Sequence, residues 1–260
     1  MKESLNFRFD RYLKLLRNEI KFNHRGVLII AAGTFFLLTL LSLVVSHRVG
    51  EDGQFMNIWY GVTLLFGGFY YTSIAFRELN RPNTAHLYLM TPASILEKFL
   101  SKWTLATVGY LVVHLVLYII FSKLATGLDS YFGSAYLNPF EPFSKVPVFL
   151  MKIYLTCSSL FLLGSVAFRK YEFFKVQLAS NLFSIALAFI AAFLFRIIFN
   201  QYFDGMMFSQ QMNNIVIEPD ASVKAFVEGP LWTVLQYLFW LGLPLLLWTV
   251  GFFKLKEQEV

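Results

Sequence analysis

Apolar residues in this chain come in long unbroken runs, not in the alternation of a half-buried strand or the narrow stripe of a water-facing helix. Six runs, at 27–46, 58–76, 103–121, 146–168, 176–199 and 231–253, are long enough to cross a hydrocarbon core, which takes about 20 residues of helix. Within them only Lys152 and Arg196 carry a full charge. Each run has to be helical, because an isolated strand in lipid leaves its backbone groups unpaired. The pattern predicts an all-α integral membrane protein of six transmembrane helices, forming a single transmembrane domain over 1–260. The first run is longer than the apolar core of a signal peptide and no small-x-small site closes it, so it is expected to remain as the first membrane helix.

Between the runs the pattern changes twice to one with helical spacing. Over residues 5–22, Phe9, Leu13, Leu16 and Ile20 recur at steps of four, three and four, and Arg11, Lys14, Asn18 and Lys21 form a second stripe. One face is greasy and the other basic, the pattern of a helix lying in the headgroup layer of an anionic leaflet. Such a helix either anchors the chain and sets its direction or also packs against the bundle as an elbow. The second place is 77–102. Its polar start, Arg77-Glu78-Leu79-Asn80-Arg81-Pro82, breaks from the second run. A short helix over 84–90 follows, with Leu87 and Met90 on one side, and Thr91-Pro92-Ala93 ends it. Ser94-Ile95-Leu96-Glu97 reads as a capping box, from which a helix runs through Lys98 and Lys102 into the third span. A plain linker needs only a few residues, and a docking surface for a partner accounts for the rest.

Charge then supplies direction. Segments 1–26, 77–102, 169–175 and 254–260 hold 16 of the 22 Lys and Arg residues, and 47–57, 122–145 and 200–230 hold 4. The acidic residues divide evenly, 8 and 8. Positive residues stay on the cytoplasmic side, so both termini are predicted inside. The formal net charge of +6 therefore describes topology and a lipid-facing surface, not a nucleic-acid footprint. Composition agrees: 57% of residues are hydrophobic, 30 are Phe, and 15% are charged against about 25% in soluble domains. A soluble enzyme, a disordered chain and a disulfide scaffold are excluded, and the single Cys157 has no intrachain partner.

Phe76-Arg77-Glu78, Thr84, Leu89-Met90-Thr91-Pro92-Ala93-Ser94 and Glu97-Lys98-Phe99-Leu100-Ser101-Lys102, with the charged tail Lys254-Leu255-Lys256-Glu257-Gln258-Glu259-Val260, resemble the permease subunits of type 2 ABC exporters. The resemblance covers the layout of the whole chain and two short motifs in residue detail. It implies a basic amphipathic interfacial helix at the N-terminus, six spans, and a cytoplasmic coupling helix between spans two and three that fits a separate ATPase subunit. By that resemblance Glu78, Thr84 and Leu87 make the coupling contact, with Glu97 and Lys98 holding its base. The residues alone allow a plainer reading, in which Glu97 is a helix cap and Lys98 a topological charge. ATP and Mg would be used by the partner ATPase, with no cofactor bound by this chain. The partners would be that ATPase, the lipid bilayer and a second permease copy, the same or similar, since six spans are few to enclose a path. The location implied is the bacterial inner membrane.

The remaining features leave alternatives open. Segment 169–175 is a second ATPase contact or a positive stop between spans. Segment 200–230, rich in Met and Phe, is re-entrant, as the resemblance implies, or an interfacial loop. Arg196 and Lys152 are placed to snorkel outward, with a buried pore role the alternative for Arg196. His114, near the middle of the third span, and Gln177, Asn181 and Ser184, on one face of the fifth, are pore polar groups or helix-packing contacts. The sequence contains no G-x-x-x-x-G-K-[ST] loop, H-E-x-x-H or G-x-S-x-G motif and no metal-ligand spacing, so no catalytic or metal residue is assigned. The readings from other classes are a non-transport membrane anchor or assembly protein of a larger complex, and a membrane enzyme, which the scattered polar residues support least. The aromatic, nearly uncharged spans favour an apolar or amphipathic cargo.

Overall fold

The computed structural model describes residues 7–21, 55–80, 85–86, 88, 90–131, 139–168, 172–198 and 229–258. Every regular element among them is helical. Helix α1 covers 9–21 and α2 Phe55–Ser73, followed by a 3-10 turn at Arg77–Asn80. Helix α3 runs from Ile95 to Tyr131 without a break, through a π-helical stretch at Thr104–Gly109. Helix α4 is Lys145–Ala167, α5 is Glu172–Ile198, and α6 covers 230–258 with a π-helical stretch at Leu238–Gly242.

Four of these, α3, α4, α5 and α6, are long and apolar enough to cross a membrane. The runs at 103–121, 146–168, 176–199 and 231–253 thus became helices. The fourth matches to within a residue at each end, and the third extends to Tyr131, ten residues beyond its apolar run. The second run forms α2, 19 residues long, which is not among those four. Its Gly, Tyr, Thr and Asn content lowers its hydropathy, because one side of it packs inside protein. Tyr60 and Leu64 are fully buried there, while Ile58, Val62, Phe66 and Tyr70, at steps of four, are exposed. The first run, at 27–46, and the segment at 200–228 lie outside the described residues.

The chain divides into two compact units, Met1–Phe173 with Pro244–Val260, and Phe174–Leu243. The first has two buried clusters. One joins α2, α3, α4 and Phe140 through Met56, Tyr60, Leu64, Tyr118, Phe121, Ala125 and Tyr154. Tyrosine hydroxyls tie it together by donating to backbone carbonyls of neighbouring helices: Tyr118 to Met56 at 2.7 Å and Tyr110 to Thr63 at 3.1 Å. Helix α2 approaches closely at Gly68, where a Cβ would overlap the Tyr154 ring and press on that of Tyr110. The other cluster, Phe76, Phe99, Ala106, Leu162, Val166 and Leu255, lies under the loop that joins α2 to α3. Residues 230–243 of α6 belong to the second unit and the rest to the first.

Candidate functional site

The residues singled out at 77–102 converge with α1 at the foot of α3. Ser94 caps α3 as its spacing predicts: its side chain accepts the Glu97 amide at 3.2 Å, and Glu97 Oε2 accepts the Ser94 amide at 2.9 Å. The other carboxylate oxygen reaches out of the motif. Glu97 Oε1 accepts the Arg8 amide at 2.6 Å, Arg11 Nε at 3.2 Å and Arg11 Nη2 at 3.1 Å. Arg8 is the residue before the first turn of α1, and its carbonyl takes the amides of Arg11 and Tyr12. In a capping box the third helical residue, here Arg11, would bear the carboxylate that accepts the cap amide. Glu97 supplies that carboxylate from another helix and pairs with Arg11 as well. One side chain therefore closes two helix N-termini, each of which favours a negative charge.

Glu97 is 0% exposed and Lys98 2%. Both are inside the protein, under the loop, not on a surface a partner could touch. Helix α3 is about 55 Å long, well beyond the roughly 30 Å of a hydrocarbon core. Its first turns, Glu97 included, therefore extend below the apolar run that starts at Trp103. Burial pushes the Glu97 carboxyl up, but the Arg8 and Ser94 amides and the Arg11 guanidinium outweigh it and hold the group below the ordinary range.

One turn on, Lys102 makes a second junction. Its Nζ lies 2.8 Å from Glu19 of α1 and 2.8 Å from Glu78 of the 3-10 turn. The Lys98 and Lys102 ammonium groups each stand 5.7 Å from the centroid of the Tyr88 ring. Ala85, His86 and Tyr88 are helical, and the Met90 amide closes that turn on the His86 carbonyl at 3.0 Å. Thr84 and Leu87 lie outside the described residues. Among the described residues of the loop, His86 and Met90 are exposed, Met90 by 69%.

The π-helical stretch begins just above. It moves the Tyr110 amide off its usual partner, the Ala106 carbonyl, onto Leu105 and Thr107. That carbonyl instead receives two hydroxyls from flanking helices, Thr72 at 3.2 Å and Tyr154 at 2.7 Å. Tyr12 of α1 meets Thr104 at 2.8 Å, hydroxyl to hydroxyl. A π stretch is a local irregularity that recurs at functional positions. Here it is the point where α1, α2, α3 and α4 share polar contacts in a low-dielectric setting.

The polar groups inside the spans fall elsewhere. His114 stacks on Tyr110, 5.6 Å between centroids, lies within 6.0 Å of Tyr60 and Tyr118, and its Nε2 is 3.3 Å from Thr63 Oγ1. It is a contact between α2 and α3. Gln177 and Asn181 hydrogen-bond to each other at 3.0 Å along α5, Ser184 donates to the Ser180 carbonyl at 2.8 Å, and Asn181 and Ser184 are exposed. Lys152 and Arg196 are exposed as well. Among the described residues no three His, Cys, Asp or Glu side chains gather as metal ligands would.

The residue pattern singles out Glu97, Lys98 and Glu78 but not their partners Arg8, Tyr88 and Lys102, nor the Glu19–Lys102 and Tyr12–Thr104 contacts beside them, and it puts Arg11 in the basic stripe. What local spacing does not carry is the pairing: a carboxylate at a buried position requires a cation and donors, and here α1 supplies both. Comparison with protein-family models, with curated proteins and with solved structures finds no match to this chain.

Proposed function

We propose that this protein is the membrane-spanning permease subunit of an ATP-driven ABC exporter. It has six spans, with α2 and the 27–46 run completing the set. It lies in a bacterial inner membrane with both termini in the cytoplasm, α1 sits at the membrane boundary, and a separate ATPase chain docks on the loop between α2 and α3. The observation that carries the reading is the double junction of that loop. Lys102 on its α3 side meets both Glu78 on its α2 side and the Tyr88 ring within it, and Lys98 stands over the same ring. A displacement applied at the exposed His86 and Met90 is therefore delivered to α2 and α3 together, as a lever and not as a slack linker. Nucleotide-bound and nucleotide-free ATPase would stabilise two arrangements of this junction differently, which is what coupling requires. Glu97 and Lys98 act in this reading from beneath, by holding the base of the loop.

The Gln177 and Asn181 amides of α5, half-buried and exposed, support a second copy as partner. Asn and Gln carry both donor and acceptor, so the same face on two parallel helices is self-complementary.

Coexpression with a candidate ABC ATPase tests the reading. Copurification, and ATP hydrolysis in nanodiscs that falls when Leu87 is changed to Glu, are the expected results. An ATPase that never copurifies with the chain, together with a Leu87→Glu variant indistinguishable from the parent, would leave a membrane anchor or assembly role in its place.

A further inference from the structure

Helix α1 has three faces, not two. At about 100° per residue, Phe9, Leu13, Leu16 and Ile20 share one sector, and Asp10, Lys14, Arg17 and Lys21, each one residue on, a second, roughly 100° further round. The third sector holds Arg8, Arg11, Tyr12, Leu15 and Glu19. The protein is gripped by this third sector, through Arg11 on Glu97, Tyr12 on Thr104 and Glu19 on Lys102. An amphipathic helix packed on a water-soluble core would turn its apolar row inward. Here Phe9 is 61% exposed, Leu13 47% and Ile20 54%, and Lys14, Arg17 and Lys21 are exposed too.

The level of the helix is also set. Its contacts run from Arg8 to Glu19, about 16 Å along its own axis, but on α3 they reach only from Glu97 to Thr104, about 10 Å. Helix α1 thus meets α3 over its first turns, at the level where the apolar run begins. An apolar row and a basic row on one helix at that height match the two layers of a lipid surface, acyl chains and phosphates.

We infer that the outward faces of α1 form a preformed docking surface for anionic phospholipid, with Leu13 and its row in the acyl layer and Lys14 and Arg17 on the lipid phosphates. The latch to Glu97 and Lys102 fixes the rotation of the helix, so the basic row is presented to the headgroups whether or not anionic lipid is there. This inference needs α3 to cross the membrane but does not depend on an ATPase partner.

The test uses the full chain with Cys157→Ser, a fluorophore on Leu13→Cys, and nanodiscs of phosphatidylcholine with roughly one quarter phosphatidylglycerol. Acyl-brominated phosphatidylglycerol should quench the label at least about threefold more per mole than brominated phosphatidylcholine. The double change Lys14→Gln and Arg17→Gln, at exposed positions, should make the two lipids equal while the melting temperature stays put. Equal quenching by both lipids in the parent would overturn the inference by reducing the surface to a nonselective interface. No quenching by either would overturn it by showing that protein covers the row. Selectivity that survives the double change would overturn the assignment of Lys14 and Arg17.

Discussion

The Arg8 amide and the Glu97 carboxylate meet at 2.6 Å across 89 residues of sequence, and through this bond one helix is capped by the cap of another. Because Glu97 is wholly buried and Arg11 is still partly open to solvent, the two halves of the ion pair are not equivalent. Glu97→Ala lets the Arg11 guanidinium find water but orphans the Arg8 and Ser94 amides. Arg11→Ala leaves a buried carboxylate with amides alone. Each change should cost about 1–3 kcal/mol, and the double variant clearly less than their sum. Chemical unfolding in detergent, arranged as a double-mutant cycle, reads the coupling. Additive losses would mean that the pair does not hold α1.

The same carboxylate makes the latch acid-sensitive. Its pKa is lowered in the fold, so the stabilisation is fully present above the ordinary value of 4.5 and is lost as pH falls through the folded value. Limited proteolysis of α1, followed while pH is lowered below about 4.5, should show release of the helix. In Glu97→Gln the protection should be weaker at neutral pH and nearly flat with pH. A parent and a Gln variant with the same pH profile would remove Glu97 as the titrating group.

How much of this could be read from residues varied with the range of the force involved. Helices α3, α4, α5 and α6 follow from apolar runs, since lipid demands them of the local sequence. The Ser94–Glu97 cap is local as well and was legible. Helix α2 was legible as an apolar run, yet its hydropathy is diluted by Gly68, Tyr60 and Thr72, which serve contacts with α3 and α4. The Glu97–Arg8 bond, the Lys102 junction and the π stretch at Thr104–Gly109 all depend on which helices become neighbours, and no local period encodes that. Arg11 is the clearest instance. By spacing it sits beside Lys14 and Lys21, but its edge position, within reach of Glu97, takes it inward.

Close packing of α2 gives a graded prediction. A Cβ at Gly68 would overlap the Tyr154 and Tyr110 rings, which are rigid and anchored through their hydroxyls, whereas at Gly61 it would meet the flexible end of Leu150 at 3.0 Å. Gly68→Ala should destabilise by about 1–3 kcal/mol, as overpacking does. Gly61→Ala should be nearly neutral, since Ala also favours helix by about 1 kcal/mol. Melting temperatures of the two variants in one detergent decide it. An unaffected Gly68→Ala would place the α2–α4 contact further apart.

The Ala106 carbonyl should behave as a shared acceptor. Tyr154→Phe or Thr72→Val alone leaves it with one hydroxyl, at a cost of about 0.5–1.5 kcal/mol each. Losing both orphans a buried carbonyl, so the double variant should cost more than the sum of the singles. Additive or sub-additive losses in equilibrium unfolding would mean that the π stretch does not need these hydroxyls to satisfy that carbonyl.

Lys102 separates binding from coupling. Its ammonium stands between Glu19, Glu78 and the Tyr88 ring, and only 5% of its side chain is exposed, so a docked partner would not touch it. Lys102→Met keeps the length and the apolar stem but removes the ammonium that the two carboxylates share. The loop should then lose its tie to α1 while its outer surface is unchanged. With a partner ATPase, copurification should persist, but the change in ATP hydrolysis caused by assembly should fall at least about tenfold, the equivalent of about 1.4 kcal/mol of lost coupling. Glu78→Gln, which removes one of the two carboxylates, should be milder. Loss of copurification in Lys102→Met would instead make the lysine part of the docking surface, and unchanged hydrolysis would show that the junction transmits nothing.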